Sequence, residues 1–268
     1  INRAVSVSRA LPTGKRKDAG SVDSPRLRMR RVGRGMNAKL RQIILTRNDA
    51  WRRRMKVRSD SFVAGQPLPD ALAFARPDPT SRVTLSDNRN PHLAWEDVPE
   101  GTRSFAVLCI DHDAPSRPDD VNHPDREVPA DLPRVAFMHW TLIDLPLELR
   151  LVGEGVYSSE VSPRGKPGPE LPDGTRQGVN DYTAWFAADH DMNGDYYGYD
   201  GPCPPWNDAL THRYDFIVHA LDVERLPIEG RFDGRQAMEL IKRHSLGSAS
   251  VGGTYTLNAR LRATQAGR

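Results

Sequence analysis

Two cysteines in 268 residues, Cys109 and Cys203, are too few for a disulfide framework, and a chain built without one fits a reducing, cytoplasmic setting. Long apolar runs are missing as well. No stretch reaches the roughly 20 consecutive apolar residues that cross a bilayer, so no transmembrane segment is expected. Residues 1–30 also lack the apolar core of a secretory signal. Neither a Gly-x-Ser-x-Gly elbow nor a Gly-rich phosphate loop occurs, which removes two common frameworks for hydrolysis and nucleotide chemistry.

Charge of one sign is scarce in each part of the chain. Residues 1–58 carry 18 Lys and Arg against 3 Asp and Glu, a net of +15, whereas the remainder carries 20 against 32, a net of −12. The overall +3 averages two unlike regions. An acidic body offers no basic face, so no specific nucleic-acid partner is expected. The chain opens on isoleucine, and body-type composition begins just after Met55. Residues 1–55 therefore read as a disordered basic arm or an upstream extension. Within them, residues 36–55 could form a short basic amphipathic helix, with Leu40, Ile43, Ile44 and Trp51 loosely on one side. Residues 56–263 read as one domain and 264–268 as a tail.

What is abundant is proline, 22 residues, with 21 glycines. They concentrate in long connections at 114–134, 146–180 and 182–211, and connections of that length in a compact domain usually carry function. Between them lie strand patterns at 81–88, 104–111, 136–145 and 212–222, the last placing Tyr214, Phe216, Val218 and Ala220 on one face. Residues 253–261 read as a final strand or the end of one. Residues 233–246 read as a helix capped by Asp233, with Ala237, Leu240 and Ile241 on its inner face. The pattern predicts a mainly β domain built on antiparallel sheet.

Polar groups gather at three strand ends. "CIDHDAP" places Asp111 and Asp113 two residues apart, "FMHW" sets His139 in an apolar strand, and "THRY" opens a strand with His212. Singly, such a histidine is usually a satisfied core residue, and such an aspartate a turn residue. Together, two carboxylates and two imidazoles suit a small polar or anionic ligand. Asp111 could fix the tautomer of a histidine and leave His139 and His212 presenting N–H donors. The stiff segment "GPCPP" precedes His212, and Pro204-Pro205 would hold a wall in shape. Cys203 reads as a small wall residue, with a reactive thiol requiring His212 to lower its pKa. Arg213, opposite to His212 and Tyr214 in the alternation, reads as a phosphate clamp or as a structural partner of Asp113.

"DHDAPSR", "MHW" followed by "LIDLP", "GPCPP" and "HRYDFIVHALD", with "NPHLAWEDVPEGTRSFAVL" upstream, resemble the phosphatidylethanolamine-binding protein family in its bacterial Raf-kinase-inhibitor-like branch. The resemblance covers about residues 58–262. It implies a large central antiparallel sheet packed on a smaller one, with a pocket for a small anion or phospholipid headgroup. Carried over, the pocket falls on Asp111, Asp113, Pro115, His139, Cys203, Pro204, Pro205, His212 and Tyr214. His112 departs from the family's usual proline, and insertions at 117–135 and 183–199 could reshape the mouth. The resulting expectation is a non-enzymatic binding protein that modulates a partner. Alternatives are a kinase or protease inhibitor acting through pocket-rim loops, and a hydrolase using Asp111 with the histidines. A homodimer is compatible with all three.

A second pattern stands apart. "DHDMNGDYYGYD" matches a calcium loop, with Asp189, Asp191, Asn193, Asp195 and Asp200 as oxygen ligands for Ca²⁺, although its twelfth position is Asp rather than Glu.

Overall fold

Alternating apolar residues along four long segments build the central sheet of the computed structural model, which describes residues 54–266. The basic arm and its amphipathic helix fall almost wholly outside the described residues. Twelve strands form among those described. They are β1 (Lys56–Arg58), β2 (Ala75–Asp78), β3 (Arg82–Leu85), β4 (Leu93–Glu96), β5 (Ser104–Pro115), β6 (Arg134–Pro146), β7 (Leu151–Val152), β8 (Gly165–Lys166), β9 (Arg176–Gln177), β10 (Asp195–Tyr196), β11 (His212–Leu221) and β12 (Ser245–Tyr255). The main sheet runs β12-β11-β5-β6-β9, antiparallel throughout. A smaller antiparallel sheet, β1-β4-β7, packs on it, with Trp95 set edge-on to Phe105 at 5.2 Å between ring centres.

Period-two alternation sorts the sheet's residues between two cores. Phe105, Val107 and Cys109 of β5 join Tyr214, Phe216 and Val218 of β11 in the core shared with the smaller sheet. Ala106, Leu108 and Ile110 face the other way, against the helix Gly234–His244. That helix starts as expected: the Asp233 carboxylate accepts from the Gln236 N–H, and the Gln236 side chain accepts from the Asp233 N–H, the reciprocal cap that satisfies two otherwise orphan donors.

Residues 259–266 differ from the expected strand. β12 ends at Tyr255 and a helix spans Ala259–Ala266, because the Asn258 side chain accepts from the Arg260 N–H and starts a turn. The 117–135 insertion is also less loose than its composition suggests. Asn207 donates to the carbonyls of Asp120, His123 and Arg126 and accepts from the Asn122 N–H. One buried amide thus gathers the insertion against the segment that follows the prolines.

His219 in β11 has Nε2 buried with no partner among the described residues, and Nδ1 lies 3.4 Å from the Ser245 hydroxyl. Burial pushes its pKa down to about 4, below the unfolded value near 6.5. The unfolded chain therefore takes up a proton first, and stability is lost as pH falls from about 6.5 towards 4. Urea unfolding should show the wild type losing about 2 kcal/mol more than His219→Gln between pH 7 and pH 5. Equal losses would mean that this histidine does not carry the effect.

Candidate functional site

β5 and β11 are neighbours, and their register sets Tyr214 opposite Asp111. His212, two residues before Tyr214, shares its face, and its Nδ1 lies 2.7 Å from Asp111 Oδ2. Its Nε2 lies 3.1 Å from Asp208 Oδ2. All three residues are buried. Burial works to lower the His212 pKa, but Asp111 and Asp208 overcome it and raise the group to about 9. His212 is therefore an imidazolium at neutral pH, donating both protons to carboxylates.

Asp208 is held from the other side by Arg134, with Nη1 and Nη2 at 2.6 and 3.0 Å from its two oxygens. Arg134 also donates to the carbonyls of Asp113 and Pro129. Burial would raise the Asp208 pKa, yet His212 and Arg134 hold it below the usual carboxylate range. Neither partner is a rim residue. The chain Asp111–His212–Asp208–Arg134 joins β5, β11, β6 and the insertion in one charge-assisted network.

His139 reaches the same face through an irregularity. Cys109 pairs with Trp140, while Ile110 pairs with Met138, leaving His139 as the extra residue of a bulge. A bulge of one residue lets two successive side chains point the same way. Accordingly Trp140 enters the core shared with the smaller sheet, and the His139 ring still lies 5.3 Å from Tyr214, 5.5 Å from Tyr182 and 4.8 Å from Phe137. Its Nδ1 donates to the Asp200 carbonyl at 2.7 Å, and the Asp200 N–H returns a bond to the His139 carbonyl. Burial keeps the His139 pKa below its ordinary value despite nearby Asp111 and Asp200. The ring is neutral, with the proton on Nδ1. Nε2 has no hydrogen-bond partner among the described residues.

The proline segment approaches this cluster at Cys203, which lies near Tyr182 and Tyr214. Pro204 and Pro205 are buried, and the Pro202 carbonyl accepts from Phe74 N–H. A Cβ on Gly201 would sit 2.0 Å from the Leu72 carbonyl oxygen, so only glycine allows this approach. Burial pushes the Cys203 thiol up to about 12, the opposite of thiolate activation. Tyr214 is likewise pushed well above its ordinary value by burial and by Asp111.

The structure alters two expectations. His212 does not present a donor to a ligand, since both ring nitrogens are occupied, and neutral His139 offers an acceptor instead. Asp113 turns its carboxylate to Arg213, which donates from its main-chain N–H at 2.9 Å, Nε at 3.0 Å and Nη2 at 3.2 Å. Arg213 is the structural partner of Asp113 and not a clamp. Pro115 closes β5 opposite Arg134. The displacement follows from a second irregularity between Asp111 and Ala114, which breaks the alternation that set Asp113 beside Asp111.

The calcium loop does not form. Asp189 caps its own turn through the Asp191 and Met192 N–H groups, and Asp191 pairs with His190. Asn193 donates to the Ala187 carbonyl, and Asp195 pairs with Arg231. Asp200 is fully buried and accepts from Asn88, Lys166 and Asn180. Among the described residues no three His, Cys, Asp or Glu side chains converge as a metal site. Spacing supplied the right residue types, but the chain does not wrap them around a centre.

Asp208, Arg134, Tyr182 and Phe137 lie in the cluster and were not anticipated, and Asp200 was expected only as a calcium ligand. Asp208 had a signal, four residues before His212 in the same segment. Phe137 stood in the "FMHW" motif and Arg134 at the head of the same strand, whereas Tyr182 and Asp200 come from stretches that only the topology brings near.

A family profile described as phosphatidylethanolamine-binding protein matches residues 58–256. The UPF0098 protein YbhB of Escherichia coli K12 is 34% identical over 197 residues, covering 74% of this chain and 97% of that protein. YbcL of the same organism is 28% identical, covering 63% and 73%. The crystal structure of E. coli YbcL, described as a new member of the mammalian PEBP family, superposes with a TM-score of 0.51 at 25% identity, covering 75% of this chain and 98% of that one.

His212 should titrate near pH 9 by histidine-ring NMR, and Asp208→Asn should lower that midpoint by about a unit or more. Because the folded value lies above the unfolded one, its stabilising effect is complete below about pH 6.5 and fades as pH rises through 9. A His212 midpoint near 6.5 in the wild type would disprove the double pairing.

Proposed function

The chain belongs to the phosphatidylethanolamine-binding protein family, and on that premise we propose that it is a non-enzymatic binding protein. Its ligand is a small phosphate-type anion or headgroup, taken at the cluster of Asp111, His139, Cys203 and Tyr214. His139 is the observation that supports this reading. Its Nδ1 is fixed by the Asp200 carbonyl, its neighbours are aromatic, and Nε2 is left without a partner among the described residues. A hydrogenphosphate can donate its own O–H to neutral Nε2, or accept from Nε2–H once the ring is protonated. The first route takes no proton from solvent and the second takes one onto the ring, and Asp111 nearby favours the second.

His212 supplies order rather than contact. Locked between Asp111 and Asp208, it fixes the Asp111 carboxylate beneath Tyr214. The same locking keeps His212 from serving as a general base, because both of its ring nitrogens are engaged. Cys203, with its thiol pushed up to about 12, is not an activated nucleophile.

Titration with inorganic phosphate, followed by histidine-ring NMR, tests the proposal. His139 should shift with saturation, and His139→Gln should abolish the response. Binding should tighten by about three- to tenfold per pH unit between pH 7.5 and 6, because protonation of His139 favours the bound anion. An unmoved His139 at about 10 mM phosphate, roughly ten times a weak millimolar dissociation constant, would end the assignment.

A further inference from the structure

A separate hollow of about 370 Å³ lies beyond the prolines, lined by Thr80, Ser81, Arg82, Asn122, Pro124 and Trp206. Two of its residues hold a backbone conformation that non-glycine residues rarely take, Arg82 at φ 70° and Asn122 at φ 56°. Each is fixed by its surroundings. The Asp78 carboxylate accepts from the Thr80 N–H, the Ser81 N–H and the Ser81 hydroxyl, which tightens the turn before Arg82. Asn122 donates its N–H to Asn207 and accepts from the Trp206 N–H through Oδ1. Strain of this kind persists only where neighbours over-determine it, and it concentrates at binding sites.

The Arg82 guanidinium lies 4.1 Å from the centre of the Trp206 ring. It makes no ion pair among the described residues. A stacked guanidinium keeps its five N–H groups in the plane, free to meet a bidentate oxyanion. Asn122 Nδ2 and the Thr80 hydroxyl also have no partner among those residues. No carboxylate lines the hollow. Its free polar groups are donors around a permanent positive charge, and its volume admits more than a single ion.

We propose that the Arg82–Trp206 hollow is a second binding site, distinct from the His139 cluster, that takes a phosphate group either free or as a small monoester. Arg82 grips two oxygens through its fork, and Asn122 and Thr80 supply donors to the remainder. Trp206 holds the guanidinium flat, and its place directly after Pro205 ties the hollow to the rigid proline segment. The site stands on its own geometry and does not require the His139 reading.

The test is titration of the full chain with inorganic phosphate and, separately, with glycerol phosphate, reading the Trp206 indole N–H by NMR after assignment with Trp206→Phe. The indole signal should shift with saturation in the wild type and in His139→Gln. Tighter binding of glycerol phosphate would identify a monoester, and equal binding the free anion. Arg82→Gln and Asn122→Ala should each weaken binding by about tenfold or more, while their melting temperatures stay within a few degrees of wild type. Arg82→Lys, which keeps the charge and loses the fork, should not restore it. An indole signal unmoved at about 20 mM of either probe would overturn the proposal. So would wild-type affinity in both Arg82→Gln and Asn122→Ala, and so would loss of the Trp206 response in folded His139→Gln, which would place all binding at one site.

Discussion

An imidazolium between two buried carboxylates is the interaction on which the site depends. His212 would lose stability by entering the interior alone, and so would Asp111 and Asp208. Together, with Arg134 behind Asp208, the charges compensate at hydrogen-bond distance. Removing any one strands the others, so the arrangement is cooperative in a way that apolar packing is not. It also explains why the stiff proline segment leads into β11. Asp208 must arrive beneath a ring only four residues further on, and the Asp208 N–H bond to the Pro205 carbonyl sets that turn.

The two histidines on this face have opposite protonation states because of what surrounds them. His212 meets two carboxylates and stays charged. His139 meets a carbonyl oxygen and aromatic rings and stays neutral. Environments that separate the pKa values of like groups give each a distinct task. Here one ring maintains the frame, and the other keeps Nε2 without a partner among the described residues.

Much of the fold was legible in the sequence. Apolar runs marked β5 and β6, alternation marked β11, and Asp233 marked the start of the principal helix. β12 was hidden because "SLGSASVGG" carries small residues with little strand preference, and it is extended because β11 offers it a full ladder. Within the site, Asp111, His139, His212 and Tyr214 stood in motifs that family resemblance makes readable. Arg134 and Asp200 did not, since their roles arise where segments remote in sequence meet. Asp113 misled for a local reason: period-two logic fails across an irregularity that the sequence does not announce. The calcium-like spacing misled in the opposite way, with correct ligands whose carboxylates found separate partners.

The bulge at His139 separates two design problems that a regular strand would couple. In an unbroken β6, changing which residue faces the ligand would also shift what meets the helix behind the sheet. One extra residue absorbs that offset. The aromatic lining of the front face can then change by substitution while Met138 and Ile143 keep their seats against the helix. On this view the strand acts as a joint between a variable recognition surface and a fixed foundation.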